Sequence, residues 1–312
     1  KIVKVDDIME SSFEHMVLNN FNRTRAFVKI EDGCENYCSY CIIPYARGKV
    51  RSKDPKIVLE EITKLVQDGH REVVLTGIHT GHYGGDLKNY NFSDLLKNII
   101  EIQGLERLRI SSIEITEIDD SILSILKNTN IIVDHLHIPI QSGSDKILSL
   151  MNRKYDKEYF IDKVNQIRKI RPNISLSTDL IVGFPGETDD LFNETIDTVN
   201  RIRFSKIHVF PFSLRKGTKA ETMPNHLDER IKKERVKVLI DISKKLEIEY
   251  MNKFINQEVT FIPEKYEDGY LIGHTGNYLL IKAKSSCMNH ESLKVKIINV
   301  EYPYCVAEVI NV

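Results

Sequence analysis

The stretch AFVKIEDGCENYCSYC, residues 26–41, runs a strand into three closely spaced cysteines. Residues 26–30 are rich in strand formers, and Gly33 breaks the run just before Cys34. Downstream, Asp54 and Pro55 open a helix. Asp54 can cap it, and proline loses nothing at a first-turn position. Val58, Ile62, Leu65 and Val66 recur at helical spacing, and Gly69 marks its end. The alternation then repeats. Strand-like segments at 73–76, 108–111, 136–140, 175–182 and 207–212 are separated by helical patterns. These are marked by Leu95, Ile99 and Ile102, by residues 122–126, by segments reaching Ile170, and by Leu191, Thr195, Val199 and Ile202. Six strand–helix units in a row predict an α/β fold with a parallel sheet and right-handed crossovers. The sheet is either doubly wound and open or a partial barrel.

Past residue 226 the pattern changes. Residues 227–253 read as one long charged amphipathic helix. Five short strands follow, at 257–262, 270–273, 279–284, 293–298 and 304–310, which suits a small all-β barrel. The expected division is a linker at 1–20, an α/β unit at 21–252 and a β-barrel at 253–312. The chain starts at Lys1 rather than Met, so it is expected to be a piece of something longer.

The 312 residues are 41% apolar with a formal net charge of −1, so any nucleic-acid contact must come from local charge. No apolar run would cross a bilayer, and the first residues lack a signal-peptide pattern. Five cysteines, three of them clustered, argue against a disulfide framework and for a reducing, cytoplasmic setting. Cys287 and Cys305 are expected to pack in or near strands as small apolar groups.

Cys34, Cys38 and Cys41 have the spacing C-x3-C-x2-C. Three thiolates so close can wrap one ion or cluster. A structural zinc needs a fourth ligand, and no further Cys or His lies within ten residues on either side. A 4Fe–4S cluster on three cysteines leaves one iron open. The amino and carboxylate groups of S-adenosylmethionine can chelate that iron. The strand context and the six-unit pattern favour this over a zinc knuckle or three ordinary loop cysteines.

The segment GCENYCSYCIIPYARG at 33–48 resembles the signature of radical S-adenosylmethionine methylthiotransferases. So do TDLIVGFPGET at 178–188, HIPIQSGS at 137–144 with MNR at 151–153, and GHTGNY at 273–278, the last resembling a TRAM domain. TGIHTGHYG at 76–84 and FPFSLRKGT at 210–218 resemble the branch acting on threonylcarbamoyladenosine in tRNA. Other branches act on isopentenyladenosine in tRNA or on a ribosomal protein, and a non-catalytic tRNA-binding module is the alternative of another class. The resemblance implies a six-unit partial (β/α) barrel followed by a TRAM-like barrel. It implies a 4Fe–4S cluster and S-adenosylmethionine as cofactors, tRNA as partner and flavodoxin or ferredoxin as electron donor. The sulfur donor stays unknown. It also implies a further N-terminal domain with an auxiliary cluster, without which this chain is expected to cleave S-adenosylmethionine but not to complete sulfur insertion.

Barrel sites lie at the C-terminal ends of strands. Cofactor-binding candidates there are Tyr40, Thr76, Gly77, Ser112, Gln141, Arg153, Asp179 and Gly183. Glu114 lies in the same zone. His79 and His82 form an H-x2-H pair without a third ligand nearby, so their loop is expected to face substrate. Arg47, Lys49, Arg51, Lys53 and Lys56 form one basic run, and Arg215, Lys216 and Lys219 another. Both suit tRNA phosphates, with Tyr278 as a base-stacking surface. Residues 253–312 carry six Lys against seven Asp or Glu, which counts against a strongly basic RNA-binding barrel.

Overall fold

The computed structural model describes Phe13, residues 25–289 and residues 291–310. The expected linker at 1–20 lies, Phe13 aside, outside the described residues. Six parallel strands follow one another as β1 (Arg25–Lys29), β2 (Glu72–Thr76), β3 (Arg107–Ile110), β4 (His135–His137), β5 (Ser175–Val182) and β6 (Lys206–Pro211). They form two triplets in sequence order, β1-β2-β3 and β4-β5-β6. Leu108 joins the triplets: its amide donates to Ile131 O at 2.8 Å and its carbonyl accepts from Val133 N at 3.1 Å. A doubly wound sheet reverses its strand order at a switch point. Here the order never reverses, so the strands wind one way round as an open partial barrel.

Strand periodicity divides the side chains between two faces. Ala26, Val28, Val73, Leu75, Leu108, Leu136, Leu176, Leu180 and Ile207 are buried in the main core. The alternate residues, among them Ser111, His137, Ser177 and His208, face the lumen. The helices that cover the outer face are α1 (Pro55–Gln67), α2 (Phe92–Ile99), α3 (Asp120–Asn128), α4 (Asp145–Leu150), α5 (Lys157–Ile170), α6 (Asp189–Ile202) and α7 (Glu229–Asn252). Most begin on a side-chain cap that satisfies an orphan amide. Asp54 takes Lys56 N at 2.8 Å, Asp156 takes Tyr159 N at 2.8 Å, and Asn91 forms a capping box with Asp94.

The C-terminal strands β7 (Glu258–Glu267), β8 (Tyr270–Thr275), β9 (Leu280–Lys284), β10 (Leu293–Glu301) and β11 (Tyr304–Val309) close a barrel in the order β8-β9-β11-β10-β7. It has its own core, including Phe261, Leu271, Ile281, Val295 and Ile297. Cys305 is buried in that core, as a small apolar group should be. Cys287 differs from expectation: it is exposed, because the chain has already left β9 and turns there.

The two units meet at the N-terminal ends of the parallel strands. Arg107 donates to Thr260 O at 2.9 Å and His274 O at 3.2 Å, and Arg109 to Thr275 O at 2.8 Å and Gly276 O at 3.0 Å. Glu72, only 1% exposed, binds Arg25 Nε at 2.9 Å and Arg109 Nε at 2.6 Å, with Arg107 at 3.5 Å. One buried carboxylate thus gathers three guanidinium groups, and carbonyl dipoles of the β-barrel take up much of the remaining positive charge.

Candidate active site

The cysteine loop owes its course to backbone geometry. Gly33 has φ +93°, and a Cβ there would strike the carbonyl of Lys49, so only glycine fits. Cys34 N then bonds Gly48 O at 3.1 Å, and a turn closes with Cys41 N on Cys38 O at 2.9 Å. The segment after α4 pins the loop from below. Ser39 N donates to Met151 O at 3.1 Å, Ser39 Oγ to Leu150 O at 2.8 Å, and Asn152 Nδ2 to Tyr37 O at 3.0 Å. All three thiols, none in a disulfide, consequently line one cavity of about 220 Å³.

Two basic side chains sit against the sulfurs. Arg153 Nη1 lies 3.4 Å from Cys38 Sγ, while its other arm pairs with Glu114 and its Nε donates to Tyr155 at 3.1 Å. His79 Nδ1 lies 3.8 Å from Cys34 Sγ, and its Nε2 pairs with Glu117. Burial opposes the charge on His79. Hydrogen bonds with Cys34 and Glu117 outweigh it and push its pKa up to about 10. Burial raises the Cys41 thiol. Positive charge beside the loop is what bound thiolates require.

Of the other expected cofactor contacts, Tyr40, Ser112, Gln141 and Arg153 line this cavity with the cysteines. Tyr40 also packs edge-on to Phe184, with ring centroids 6.5 Å apart. Thr76, Gly77, Asp179 and Gly183 do not line it. Thr76 Oγ1 donates back to Val28 O at 3.3 Å. A Cβ on Gly77 would fall 2.7 Å from Glu31 Oε2, so that glycine makes room for a buried carboxylate. Asp179 turns into the lumen, 3.2 Å from His137 Nε2. Gly183 packs against Lys232 of α7 and donates its amide to Glu187 at 2.6 Å. Strand alternation is the reason for Asp179: its position in β5 points inward, below the cysteine cavity.

His79, Asn36 and Glu114 line the cavity too. The H-x2-H spacing marked His79, but its partner Glu117 lies too far along the chain to be read from that motif. Contrary to the expectation of no third ligand, His79, His82 and Glu117 bring their ligand atoms within 4.8 Å of one another.

Among the basic residues, Arg47, Lys49, Arg215 and Lys216 are exposed. Arg51 is half-buried, 3.5 Å from Asp32 and bonded to Arg47 O at 3.0 Å. Lys53 departs from its expected surface role: it is 1% exposed and paired with Glu61 of α1. Tyr278 sits at the joint between the two units. Arg109 lies 4.5 Å and Arg25 5.3 Å from its ring centroid, and the His135 ring is 4.5 Å away.

A second cavity, of about 400 Å³, occupies the lumen. His137, Ser177, Lys206 and His208 line it from the strands, and His274, Asn277 and Tyr278 from the β-barrel.

An open six-strand barrel with three cysteines just after its first strand defines a class, and the Radical SAM superfamily profile matches residues 28–199. The chain is 44% identical over 96% of its length to threonylcarbamoyladenosine tRNA methylthiotransferase MtaB of Bacillus subtilis (strain 168), and 42% identical over 83% to the MtaB of Thermotoga maritima. It is 38% identical over 88% of its length to the tRNA-2-methylthio-N(6)-dimethylallyladenosine synthase of Clostridium botulinum (strain Hall). It spans 68%, 60% and 62% of these three relatives respectively. Among solved structures, it shares its fold with the radical S-adenosylmethionine methyltransferase TsrM of Kitasatospora setae, at TM-score 0.53 and 17% identity over 63% of this chain and 38% of that one. Coproporphyrinogen III oxidase HemN of Escherichia coli gives TM-score 0.52 and 16% identity over 74% and 54%. The chain belongs to the radical SAM superfamily, and within it to the tRNA methylthiotransferases. Among the described residues no helix is long and apolar enough to cross a membrane.

Proposed function

We propose that this chain is the radical-generating part of a cytoplasmic enzyme that places a methylthio group at C2 of threonylcarbamoyladenosine in tRNA. The observation that carries the reading is the convergence of three thiols on one cavity beside Arg153 and His79. The similarity to the two MtaB relatives supports the substrate.

The donor set fits the cofactors. Cys34, Cys38 and Cys41 would hold a 4Fe–4S cluster, and three protein ligands leave a position for the amino and carboxylate groups of S-adenosylmethionine. The chemistry that pair supplies when bound is one-electron cleavage of a carbon–sulfur bond, giving a carbon radical able to take hydrogen from the adenine ring. Arg153 and His79 hold positive charge at the sulfurs. Ser112 and Gln141 offer hydrogen bonds to the polar groups of S-adenosylmethionine. Gln141 is held at φ +66° by bonds to β5 on both sides of its peptide, 2.9 Å each. Ile43, Ile78, Ile113 and Pro139 form the apolar part of the lining, which limits the water around the bound group. Exposed Arg47, Lys49, Arg215 and Lys216 meet tRNA phosphates, with flavodoxin or ferredoxin as electron source.

The test is anaerobic reconstitution with iron and sulfide. The chain should gain broad visible absorption and release 5′-deoxyadenosine when reduced with S-adenosylmethionine. Cys38→Ala should lose both. Absence of 5′-deoxyadenosine from the unaltered, reconstituted chain refutes the reading.

A further inference from the structure

We propose that the lumen cavity is the specificity pocket for the N6 substituent of the target adenosine, with His137, Ser177 and His208 of its lining, and Asp179 beside His137, binding the amino-acid end of a threonylcarbamoyl group. This deepens the reading above and rests on its choice of substrate.

The first argument is placement. His137 pairs in register with Ser177 across β4–β5, and Asp179 with His208 across β5–β6. Three adjacent strands therefore present these four side chains as one band across the lumen. Gln141, at the cysteine cavity, bridges to Leu180, three residues beyond Ser177 on β5. At roughly 3.3 Å per residue that is about 10 Å along the strand. An adenine ring with its N6 chain has about that reach. The ring can face the cysteine cavity while the chain points down.

The second argument is chemistry. Ser111, Ser175, Ser177 and Ser205 line the cavity together with His135, His137 and His208. His137 Nδ1 and His135 Nε2 each lie 3.0 Å from Ser177 Oγ, and His135 Nδ1 is buried with no hydrogen-bond partner. Burial lowers the pKa of His135 and His208, which keeps both neutral, and a neutral imidazole can donate at one nitrogen and accept at the other. Lys206 spans both oxygens of Glu247, at 2.8 and 2.9 Å. An ammonium has three donors, which leaves one for an incoming carboxylate.

A threonylcarbamoyl group carries a urea, a hydroxyl and a carboxylate. Each has a complement here: Asp179 accepts from N–H or O–H, while serine, imidazole and Lys206 donate to oxygen. A dimethylallyl group would offer none of these groups a hydrogen bond, and would leave the buried His135 Nδ1 without a partner. A site built for hydrogen bonds rejects a ligand lacking them far more strongly than an apolar site rejects an added hydroxyl.

The experiment is calorimetric titration of this chain with threonylcarbamoyladenosine, dimethylallyladenosine and adenosine. The threonylcarbamoyl nucleoside should bind at least about tenfold tighter than either of the others. His208→Leu and Ser177→Ala should each weaken it by about tenfold, with dimethylallyladenosine unchanged or tighter. Thermal unfolding confirms that each variant is folded, and Lys127→Ala at an exposed position of α3 is the unaffected control. Equal affinity for the three nucleosides, equal losses for all of them, or no binding of the threonylcarbamoyl form at millimolar concentration overturns the proposal. Release of 5′-deoxyadenosine is scored separately. A chain that cleaves S-adenosylmethionine but shows no nucleoside preference refutes the pocket alone. Selective binding without cleavage refutes the radical reading alone.

Discussion

Glu31 is wholly buried beneath the cysteine loop. Its Oε2 accepts the His79 amide at 2.7 Å, and its Oε1 has no hydrogen-bond partner. Burial pushes its pKa up to about 7, against backbone hydrogen bonds that act the other way. Below its unfolded value the carboxyl is neutral in both states and costs nothing. Between the unfolded value and about 7 the unfolded chain releases the proton first, so stability falls as pH rises. Glu31→Gln should therefore gain about 2.5 kcal/mol over the parent at pH 8 relative to pH 5, measured by urea unfolding. A constant difference at both pH values would refute this. Gly33→Ala should cost at least about 2 kcal/mol and reduce iron uptake on reconstitution, because the left-handed turn and the Lys49 carbonyl both exclude a methyl group. The cysteines were legible because ligand spacing is a local property. Glu31 was not, since a lone glutamate after a strand carries no pattern and its burial comes from Gly77 and His79, far along the chain.

Among the elements, helix starts show how local signals divide. Asp156 and Ser144 both precede a helix and both are good capping residues. Asp156 takes the Tyr159 amide at 2.8 Å, whereas Ser144 makes no cap and its buried Oγ has no hydrogen-bond partner. Asp156→Ala should cost about 1 kcal/mol, lowering Tm by about 3 °C. Ser144→Ala should stay within about 0.5 kcal/mol of the parent or gain slightly, since it removes an unsatisfied group. Equal losses would show that the Ser144 hydroxyl has a partner in solution. The strand–helix alternation was readable throughout because core-facing residues repeat with the period of each element. Strand ends were less so. The expected strand at 136–140 stops at His137, because past that point the chain bends toward the cysteine cavity and its bonds to β5 become irregular, Ile140 N reaching the Thr178 hydroxyl at 2.9 Å and Gln141 bridging to Leu180.

Across the whole molecule, the joint between the two units rests on Glu72 with Arg25, Arg107 and Arg109. Glu72→Gln removes the one carboxylate those three cations share. It should cost about 3 kcal/mol or more and split calorimetric unfolding into two transitions as the β-barrel detaches. A single transition at the parent temperature would refute that role. Tyr278, expected to stack on RNA, shows what assembly adds. Its ring belongs to the β-barrel, but its neighbours Arg25, Arg109 and His135 come from three strands of the other unit. From sequence alone came the six-unit α/β pattern, the small β-barrel and the three cysteines, because periodicity and short spacings are written within a few residues. The tertiary structure alone decided which side chains share a cavity. Arg153 and His79 reach the sulfurs from separate loops, Asp179 leaves them for the lumen, and Lys53 is lost to an internal pair. Those outcomes depend on which strands lie side by side, a relation between residues tens to hundreds of positions apart that no local pattern encodes.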